Sequence, residues 1–259
     1  MSKQIPILHH EISGSGHTVV LLHGFMASSR YWDKVIALLS RRYRVVAIDL
    51  LGFGKSPKPG CSRYDYDAQL ASINATLEVV GVKKFILIGH SMGALIALRY
   101  ARVFPSRVKR LLLANMPILM NTKQAKENIL GENLLYWLAL RPGLHAVIWP
   151  IFRISAALGL LPSKNIEAAG ARKSYIFQST GISRLRSLRN VIYAAKIEAD
   201  LRALEMSTTI LSGLQDTRAK YLDVLPRLRL NSNIVLQNMA GGHHFPLTQP
   251  HVFEEIIGS

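Results

Sequence analysis

The chain has 259 residues, 49% of them hydrophobic, and its 32 Lys and Arg residues against 16 Asp and Glu residues give a formal net charge of +16. This length and composition predict one domain that has a sizeable core and an insertion, and they disfavour two full domains. The single cysteine, Cys61, excludes an internal disulfide and a cysteine-based metal cluster.

The positive charge would attract polyanions such as nucleic acid, anionic membrane surfaces or acidic substrates. The basic residues are spread along the chain, however, and no basic run with interleaved aromatic residues is present. No recognisable nucleic-acid module occurs either. We therefore expect no nucleic-acid partner.

Short apolar runs rich in β-branched residues recur through the first half of the chain, as in strands buried on both faces of a parallel sheet. These runs cover residues 18–22, 44–48, 85–88 and 110–114. Longer amphipathic segments separate them, at about residues 31–40, 64–80 and 92–104. This alternation predicts an α/β fold with a doubly wound, mostly parallel sheet, and residues 5–12 are expected to add an edge strand.

The alternation stops after Asn115, and residues 117–205 have a mainly helical pattern. Three prolines interrupt that pattern and predict several short helices: Pro142, Pro150 and Pro162. Strand patterns resume at residues 208–212 and 233–237, and a final helix is expected at residues 251–257. We therefore predict a core of residues 1–116 and 206–259 with a helical lid inserted at residues 117–205.

The predicted lid is rich in large apolar side chains: Leu134, Leu135, Trp137, Leu138, Leu144, Val147, Ile148, Trp149, Ile151 and Phe152. They either bury one face of the lid on the core or line an apolar acyl pocket. Together with the basic surface, they predict a weak association with anionic membrane surfaces. No run reaches the roughly 18 apolar residues of a membrane span, and no signal-peptide pattern opens the chain, so we expect a cytoplasmic protein.

Residues 84–93, Lys-Phe-Ile-Leu-Ile-Gly-His-Ser-Met-Gly, carry the strongest chemical signal. An apolar strand runs into a Gly-x-Ser-x-Gly turn and then directly into an apolar helix. In this context a serine sits on a strained strand-to-helix turn that exposes its hydroxyl group. Gly89 and Gly93 provide the space that such a turn needs, so Ser91 is the candidate nucleophile.

Five motifs in order make the chain similar to an α/β-hydrolase over nearly all of its length outside the predicted lid. They are Leu-Leu-His-Gly-Phe at residues 21–25, Asp-Leu-Leu-Gly-Phe-Gly-Lys-Ser at 49–56, Gly-His-Ser-Met-Gly at 89–93, Gly-Leu-Gln-Asp at 213–216 and Gly-His-His-Phe-Pro-Leu-Thr-Gln-Pro at 242–250. The resemblance implies the α/β-hydrolase fold with a serine esterase type of nucleophile elbow.

A serine hydroxyl needs a base to take its proton, and the base needs an acid that orients it. The order Ser91, Asp216, His243 is the one expected for this fold. His243 is favoured over the adjacent His244, because it follows a glycine and precedes Pro250 by seven residues, as the family pattern requires.

The acid is less clearly marked than the base. Asp216 follows a predicted buried strand and is favoured over Asp223 and Asp200, which lie in helix-like segments. Asp49 is interpreted as a structural acid of its loop.

The resemblance assigns the oxyanion hole to the backbone N–H groups of Phe25 and Met92. Five further residues are predicted to support the turn and the neighbouring loop: His23, Gly24, Gly89, His90 and Gly93. No cofactor or metal is expected, since the reaction needs only water and the three side chains, and the adjacent histidine pairs lack metal-ligand spacing.

These residues predict a serine hydrolase that cleaves carboxylic esters of small to medium apolar substrates through an acyl-enzyme on Ser91. A carbon–carbon bond hydrolase, a thioesterase and a perhydrolase would use the same triad. Three arginines are then candidates to bind a substrate carboxylate: Arg184, Arg186 and Arg189. A non-catalytic ligand-binding protein is disfavoured by the intact triad. The expected partner is a small apolar ester, and the sequence does not determine the oligomeric state.

Overall fold

The described part of the chain forms one seven-stranded sheet. The computed structural model describes residues 4–118, 150–151, 154, 178–216 and 230–258, and every structural statement below refers to these residues. The strands are β1 (His10–Ser13), β2 (Thr18–Leu22), β3 (Arg44–Ile48), β4 (Phe85–His90), β5 (Val108–Ala114), β6 (Ser207–Gly213) and β7 (Ile234–Met239). Their order across the sheet is β1-β3-β2-β4-β5-β6-β7.

Only the first strand of this sheet runs against the others. β1 pairs antiparallel with β3. Every other neighbouring pair is parallel, including β2 with β3 and β2 with β4. The predicted mostly parallel sheet is thus confirmed, although the edge strand begins later than expected, at His10.

Helices lie on both faces of the sheet. They are α1 (Asp33–Leu39), α2 (Tyr66–Val79), α3 (Met92–Val103), α4 (Gly181–Ser187), α5 (Ile197–Arg202), α6 (Phe245–Thr248) and α7 (His251–Gly258). A π-helical segment, Leu188–Ile192, follows α4 directly. Within the described ranges, no helix combines the length and the apolar character that a membrane crossing requires.

The strands alternate their side chains between two apolar layers, as buried strands of a doubly wound sheet must. In β2, Val20 and Leu22 belong to the layer that includes residues of α2 and α3. Val19 and Leu21 belong to the opposite layer, with Trp32. All four are fully buried, so β2 is covered on both faces.

Residues 178–205 of the predicted lid pack onto the core. Leu188, Val191 and Leu201 are buried in the same apolar layer as α3. The division between core and lid stays a prediction, because residues 119–149 and most of 152–177 lie outside the described ranges. Asp223 and the apolar lid residues other than Ile151 also lie outside the described ranges. Ile151 is described and is exposed.

Candidate active site

Ser91 lies at the turn between β4 and α3. Its backbone angles, φ 54° and ψ −120°, fall in a region that costs about 1–3 kcal/mol for a residue other than glycine. Its N–H donates to the carbonyl of Ala114 at 3.0 Å. This bond ties the turn to the end of β5, so the sheet supports the strained backbone.

The glycines on either side of Ser91 are in close contact with neighbouring backbone. A Cβ on Gly89 would lie 2.5 Å from the carbonyl oxygen of Gly93, and one on Gly93 would lie 2.4 Å from that of Leu22. Real Cβ atoms do not approach so closely. The spacing of small residues recognised in the sequence therefore has a steric cause.

The structure brings Ser91, His243 and Asp216 together. Ser91 Oγ lies 3.0 Å from Nε2 of His243. Nδ1 of His243 lies 2.8 Å from Oδ2 of Asp216. The Asp216 side chain is fully buried, whereas that of His243 is 10% exposed. In this arrangement a proton can move from the hydroxyl to an imidazole that the carboxylate orients.

His244 occupies a different environment from His243. Its Nδ1 lies 3.5 Å from the hydroxyl of Tyr31. Its ring also lies near that of His90, with the centroids 5.6 Å apart. The geometry at Ser91 thus favours His243 over His244 as the base. The preceding glycine and the seven-residue distance to Pro250 had predicted the same choice.

The turn that carries Asp216 is bonded to the loop that carries His243. The N–H of Leu214 donates to the carbonyl of Met239 at 2.9 Å, and that of Gln215 donates to the carbonyl of Gly241 at 3.0 Å. The acid and the base therefore lie on two neighbouring segments at the carboxyl ends of β6 and β7, where ligands bind in open α/β sheets.

His90 contacts the backbone of the candidate base. Its Nε2–H donates to the carbonyl of His243 at 2.8 Å. Its ring stacks on Tyr31 with the centroids 4.5 Å apart. In the sequence, His90 was only the variable position of the elbow. Its hydrogen bond to His243, 153 positions later, could not be inferred from a local pattern.

The backbone around Phe25 lies beside Ser91. A Cβ on Gly24 would stand 3.2 Å from Cβ of Ser91. In the described part of the chain, neither the N–H of Phe25 nor that of Met92 is bonded to a protein acceptor. The N–H of Met92 also belongs to the first turn of α3, where the helix dipole favours negative charge. Within the described ranges both groups are therefore unbonded, as the predicted oxyanion hole requires.

His23 connects this backbone to the loop that follows β3. Its Nδ1–H donates to the carbonyl of Gly24 at 2.7 Å. Its Nε2 accepts from the N–H of Leu50 at 3.0 Å. Burial lowers the pKa of His23, and the nearby Asp49 only partly offsets this effect. His23 is therefore a neutral ring that orders the loop.

Two of the three other acids considered in the sequence, Asp49 and Asp200, have structural contacts. Asp49 accepts from the N–H of Ser29 at 2.6 Å and from that of Lys55 at 2.7 Å. Asp200 pairs with Arg99 at 2.7 Å and Arg102 at 2.6 Å. Among the described residues, no group of three or more His, Cys, Asp and Glu residues is placed to bind a metal ion.

The arginines considered as carboxylate ligands lie on α4 and the π-helical segment. Nη1 of the buried Arg184 donates to the carbonyl of Ser179 at 2.9 Å. Nη1 of Arg186 donates to the carbonyl of Gly60 at 2.8 Å. Arg189 is exposed. The first two guanidinium groups thus bind backbone carbonyls, and the binding of a substrate carboxylate by the three arginines stays a prediction.

The profile of a protein family described as alpha/beta hydrolase fold matches residues 17–145. An uncharacterized protein of Mycobacterium tuberculosis (strain H37Rv) is 38% identical over 104 residues, which is 40% of this chain and 30% of that protein. The chain thus spans less than a third of the length of this curated relative.

Two further proteins match over most of their length. RutD of Escherichia coli O139:H28, a proposed carbamate hydrolase, is 25% identical over 244 residues, covering 92% of this chain and 89% of RutD. The structure of an esterase, EaEST from Exiguobacterium antarcticum, has a TM-score of 0.76 at 20% identity and covers 97% of this chain and 94% of its own. The fold is therefore shared with the esterase structure.

Proposed function

We propose that the chain, which belongs to the α/β-hydrolase fold family, is a hydrolase that cleaves carboxylic esters of small to medium apolar substrates. Ser91 is the nucleophile, His243 the base and Asp216 the acid. The observation that carries this proposal is the continuous chain of contacts from Ser91 Oγ to His243 Nε2, at 3.0 Å, and from His243 Nδ1 to Asp216 Oδ2, at 2.8 Å.

The first half of the reaction is acyl transfer to the enzyme. Ser91 Oγ attacks the ester carbonyl carbon while its proton moves to Nε2 of His243. Buried Asp216 stabilises the imidazolium that forms. The proton then passes to the leaving alcohol, and an ester bond to Ser91 replaces the substrate's own.

The negative charge on the carbonyl oxygen is bound by the N–H groups of Phe25 and Met92. Each such donor typically contributes about 2.7–4 kcal/mol to stabilising the transition state. In the second half of the reaction, His243 takes a proton from water, and the resulting hydroxide attacks the acyl-enzyme. His243 then returns the proton to Ser91 Oγ as the acid is released. Both halves use the same donors and the same base.

A carbamate is the second candidate substrate. It is favoured by the likeness to RutD, a proposed carbamate hydrolase, over 92% of this chain. The chemistry is closely related, because attack by Ser91 would form a carbamoyl-enzyme in place of an acyl-enzyme. Turnover of carbamates but not of esters would therefore change the substrate class without changing the residues.

The proposal is tested by reacting the purified protein with a fluorophosphonate probe and locating the labelled residue by mass spectrometry. We expect labelling at Ser91. We also expect turnover of p-nitrophenyl esters, compared across increasing acyl chain length and against p-nitrophenyl carbamates. Ser91→Ala should lower kcat by at least about 10⁴-fold and leave folding intact, because the hydroxyl is the group that reacts.

Ser72→Ala is a matched control, because Ser72 is also a buried serine but lies within α2. It should keep wild-type labelling and turnover. Labelling of another residue, or none at all, contradicts the assignment of Ser91. Labelling without hydrolysis of esters or carbamates contradicts the proposed substrate class and favours carbon–carbon, thioester or peracid chemistry.

A further inference from the structure

Asn115 is a buried polar residue that the proposed mechanism does not use. It follows β5 directly and has 0% exposure. Its φ of 44° is in the left-handed region, which asparagine tolerates better than most residues. Its N–H donates to the carbonyl of Leu211 at 2.8 Å. The preceding residue, Ala114, accepts the N–H of Ser91, so Asn115 is one residue away from the nucleophile's own anchor.

The side-chain amide of Asn115 bonds to both of the segments that carry the acid and the base. Its Oδ1 accepts from the N–H of Gly213, the last residue of β6, at 2.7 Å. Its Nδ2 donates to the carbonyl of Gly242 at 3.0 Å and to that of His243 at 2.9 Å. A carboxylate of the same size has no hydrogen to donate, and an apolar side chain has neither function.

These contacts lie directly beside the reacting groups. The carbonyl of Gly213 accepts the N–H of Asp216 at 2.9 Å, which closes the turn that presents the acid. A Cβ on Gly213 would stand 2.6 Å from the carbonyl oxygen of Gly242, so the two segments touch at this point. The amide of Asn115 spans the contact and joins the backbone of the acid turn to the backbone of His243.

We infer that Asn115 is a positioning residue for the proposed reaction, an inference that rests on the proposed function. By bonding Gly213 on one side and the carbonyls of Gly242 and His243 on the other, it sets the distance between Asp216 and the imidazole. It also sets the distance between that imidazole and Ser91, because the carbonyl of Ala114, at the end of β5, accepts the N–H of Ser91. A displacement of about 1 Å in such a geometry costs roughly 100-fold in rate.

The test uses two substitutions that suit the backbone of this position. Asn115→Gly removes the amide and tolerates positive φ without strain. Asn115→Asp keeps an acceptor for Gly213 but loses the donors to the two carbonyls. We expect each to lower kcat by about 10–100-fold with little change in KM, because the reacting groups are displaced and the substrate pocket is not.

Two further measurements separate positioning from general stability. The pH midpoint of the kcat profile should move to lower pH in Asn115→Gly, because a more distant Asp216 stabilises the imidazolium less. Asn115→Asp is judged by kcat and the proton signal alone, because its own carboxylate would stabilise the imidazolium. The downfield NMR signal of the His243 Nδ1 proton, assigned by its loss in His243→Gln, should weaken or disappear. Folding is checked by circular dichroism, and kcat is normalised to the folded fraction.

Gln69 offers a matched control, because it is a buried amide that also bonds to backbone through both functions. It accepts from the N–H of Leu51 at 3.1 Å and donates to the carbonyl of Leu51 at 3.0 Å. Gln69→Ala and Gln69→Glu should lower stability while kcat, the pH midpoint and the His243 signal stay at wild-type values.

The inference is overturned if folded Asn115 variants keep the wild-type kcat, pH midpoint and proton signal, or if the Gln69 variants show the same losses. It is also overturned if neither Asn115 variant folds, since the residue is then required for folding alone. A wild-type protein that is not labelled at Ser91 overturns the proposed function and this inference with it. That failure is seen before any Asn115 variant is made.

Discussion

Gly93 lies where the first turn of α3 passes beside the end of β2. A methyl group on its Cα would stand 2.4 Å from the carbonyl oxygens of Leu22 and His23. These two atoms belong to backbone in the middle of the core, where Leu22 and His23 are both fully buried. They therefore cannot move aside as a flexible side chain would, and a side chain at residue 93 would separate the elbow from the sheet.

We accordingly expect Gly93→Ala to destabilise the protein by about 2–4 kcal/mol, because overpacking against fixed backbone is among the largest single-residue effects. The free energy of unfolding is measured by urea denaturation. Gly60→Ala is the control, since a Cβ at Gly60 would meet nothing within 4 Å. It should change stability by less than about 0.5 kcal/mol. Equal stabilities of the two variants would contradict the steric argument.

Helix α3 connects the candidate site to the second half of the chain. Its N-terminal turn begins directly after Ser91, and nine of its twelve residues are buried. Toward its other end, Arg99 and Arg102 both bind Asp200 of α5. The side chain of Asp200 is only 3% exposed, so the two arginines neutralise a carboxylate that would otherwise be buried without a partner. This contact fastens α5 to α3.

Asp200→Asn should therefore lower the free energy of unfolding by about 1.5–3 kcal/mol, the range of hydrogen bonds to charged groups, because Arg99 and Arg102 lose their partner but are themselves 20% and 43% exposed. Glu198→Gln, on the same helix, is the control. Glu198 pairs with Arg202, and both side chains are more than half exposed, at 52% and 53%. Glu198→Gln should lower the free energy of unfolding by less than about 0.5 kcal/mol. Thermal and urea unfolding measure both, and an Asp200 variant as stable as wild type would contradict a fastening role.

At the scale of the whole molecule, the two apolar layers lie on opposite faces of one sheet, and the chain carries a net charge of +16. Charge of this size creates a potential that extends about 8 Å into physiological salt. Anionic surfaces are attracted by it without any specific contact. The predicted membrane association belongs to this scale, because it combines the summed charge with the apolar residues of the predicted lid and depends on no single residue.

The protein should therefore co-sediment with phosphatidylserine-containing vesicles at low ionic strength and dissociate at about 0.5 M salt, where screening is nearly complete. Vesicles of phosphatidylcholine alone serve as the control and should not bind. Absence of binding at low salt would contradict the prediction. Binding that persists at high salt would indicate apolar insertion in place of charge attraction.

Local patterns predicted much of the fold. The residues of β2 and β3 were predicted with their observed bounds, since a strand buried on both faces reads as a continuous apolar run. The position of Ser91 on the strand-to-helix turn was also predicted locally, because a strained turn requires small residues at fixed neighbouring positions. Boundaries were less accurate where the pattern is weak, as at the edge strand β1, which has only intermediate and exposed positions.

The sequence by itself therefore determined the alternation of strands and helices in the core, the strand-to-helix turn at Ser91 and, through motif order, the prediction that Asp216 pairs with His243. Only the tertiary structure decided how these parts are supported. Asn115 bonds to residues 127 and 128 positions away, and His90 bonds to His243, 153 positions away. The hydrophobic periodicity of a sequence indicates whether a residue is buried. The hydrogen-bond partner of a buried polar residue depends instead on which strand ends lie next to each other. That choice depends on the order of strands across the sheet, where β5 lies between the nucleophile strand β4 and the acid strand β6.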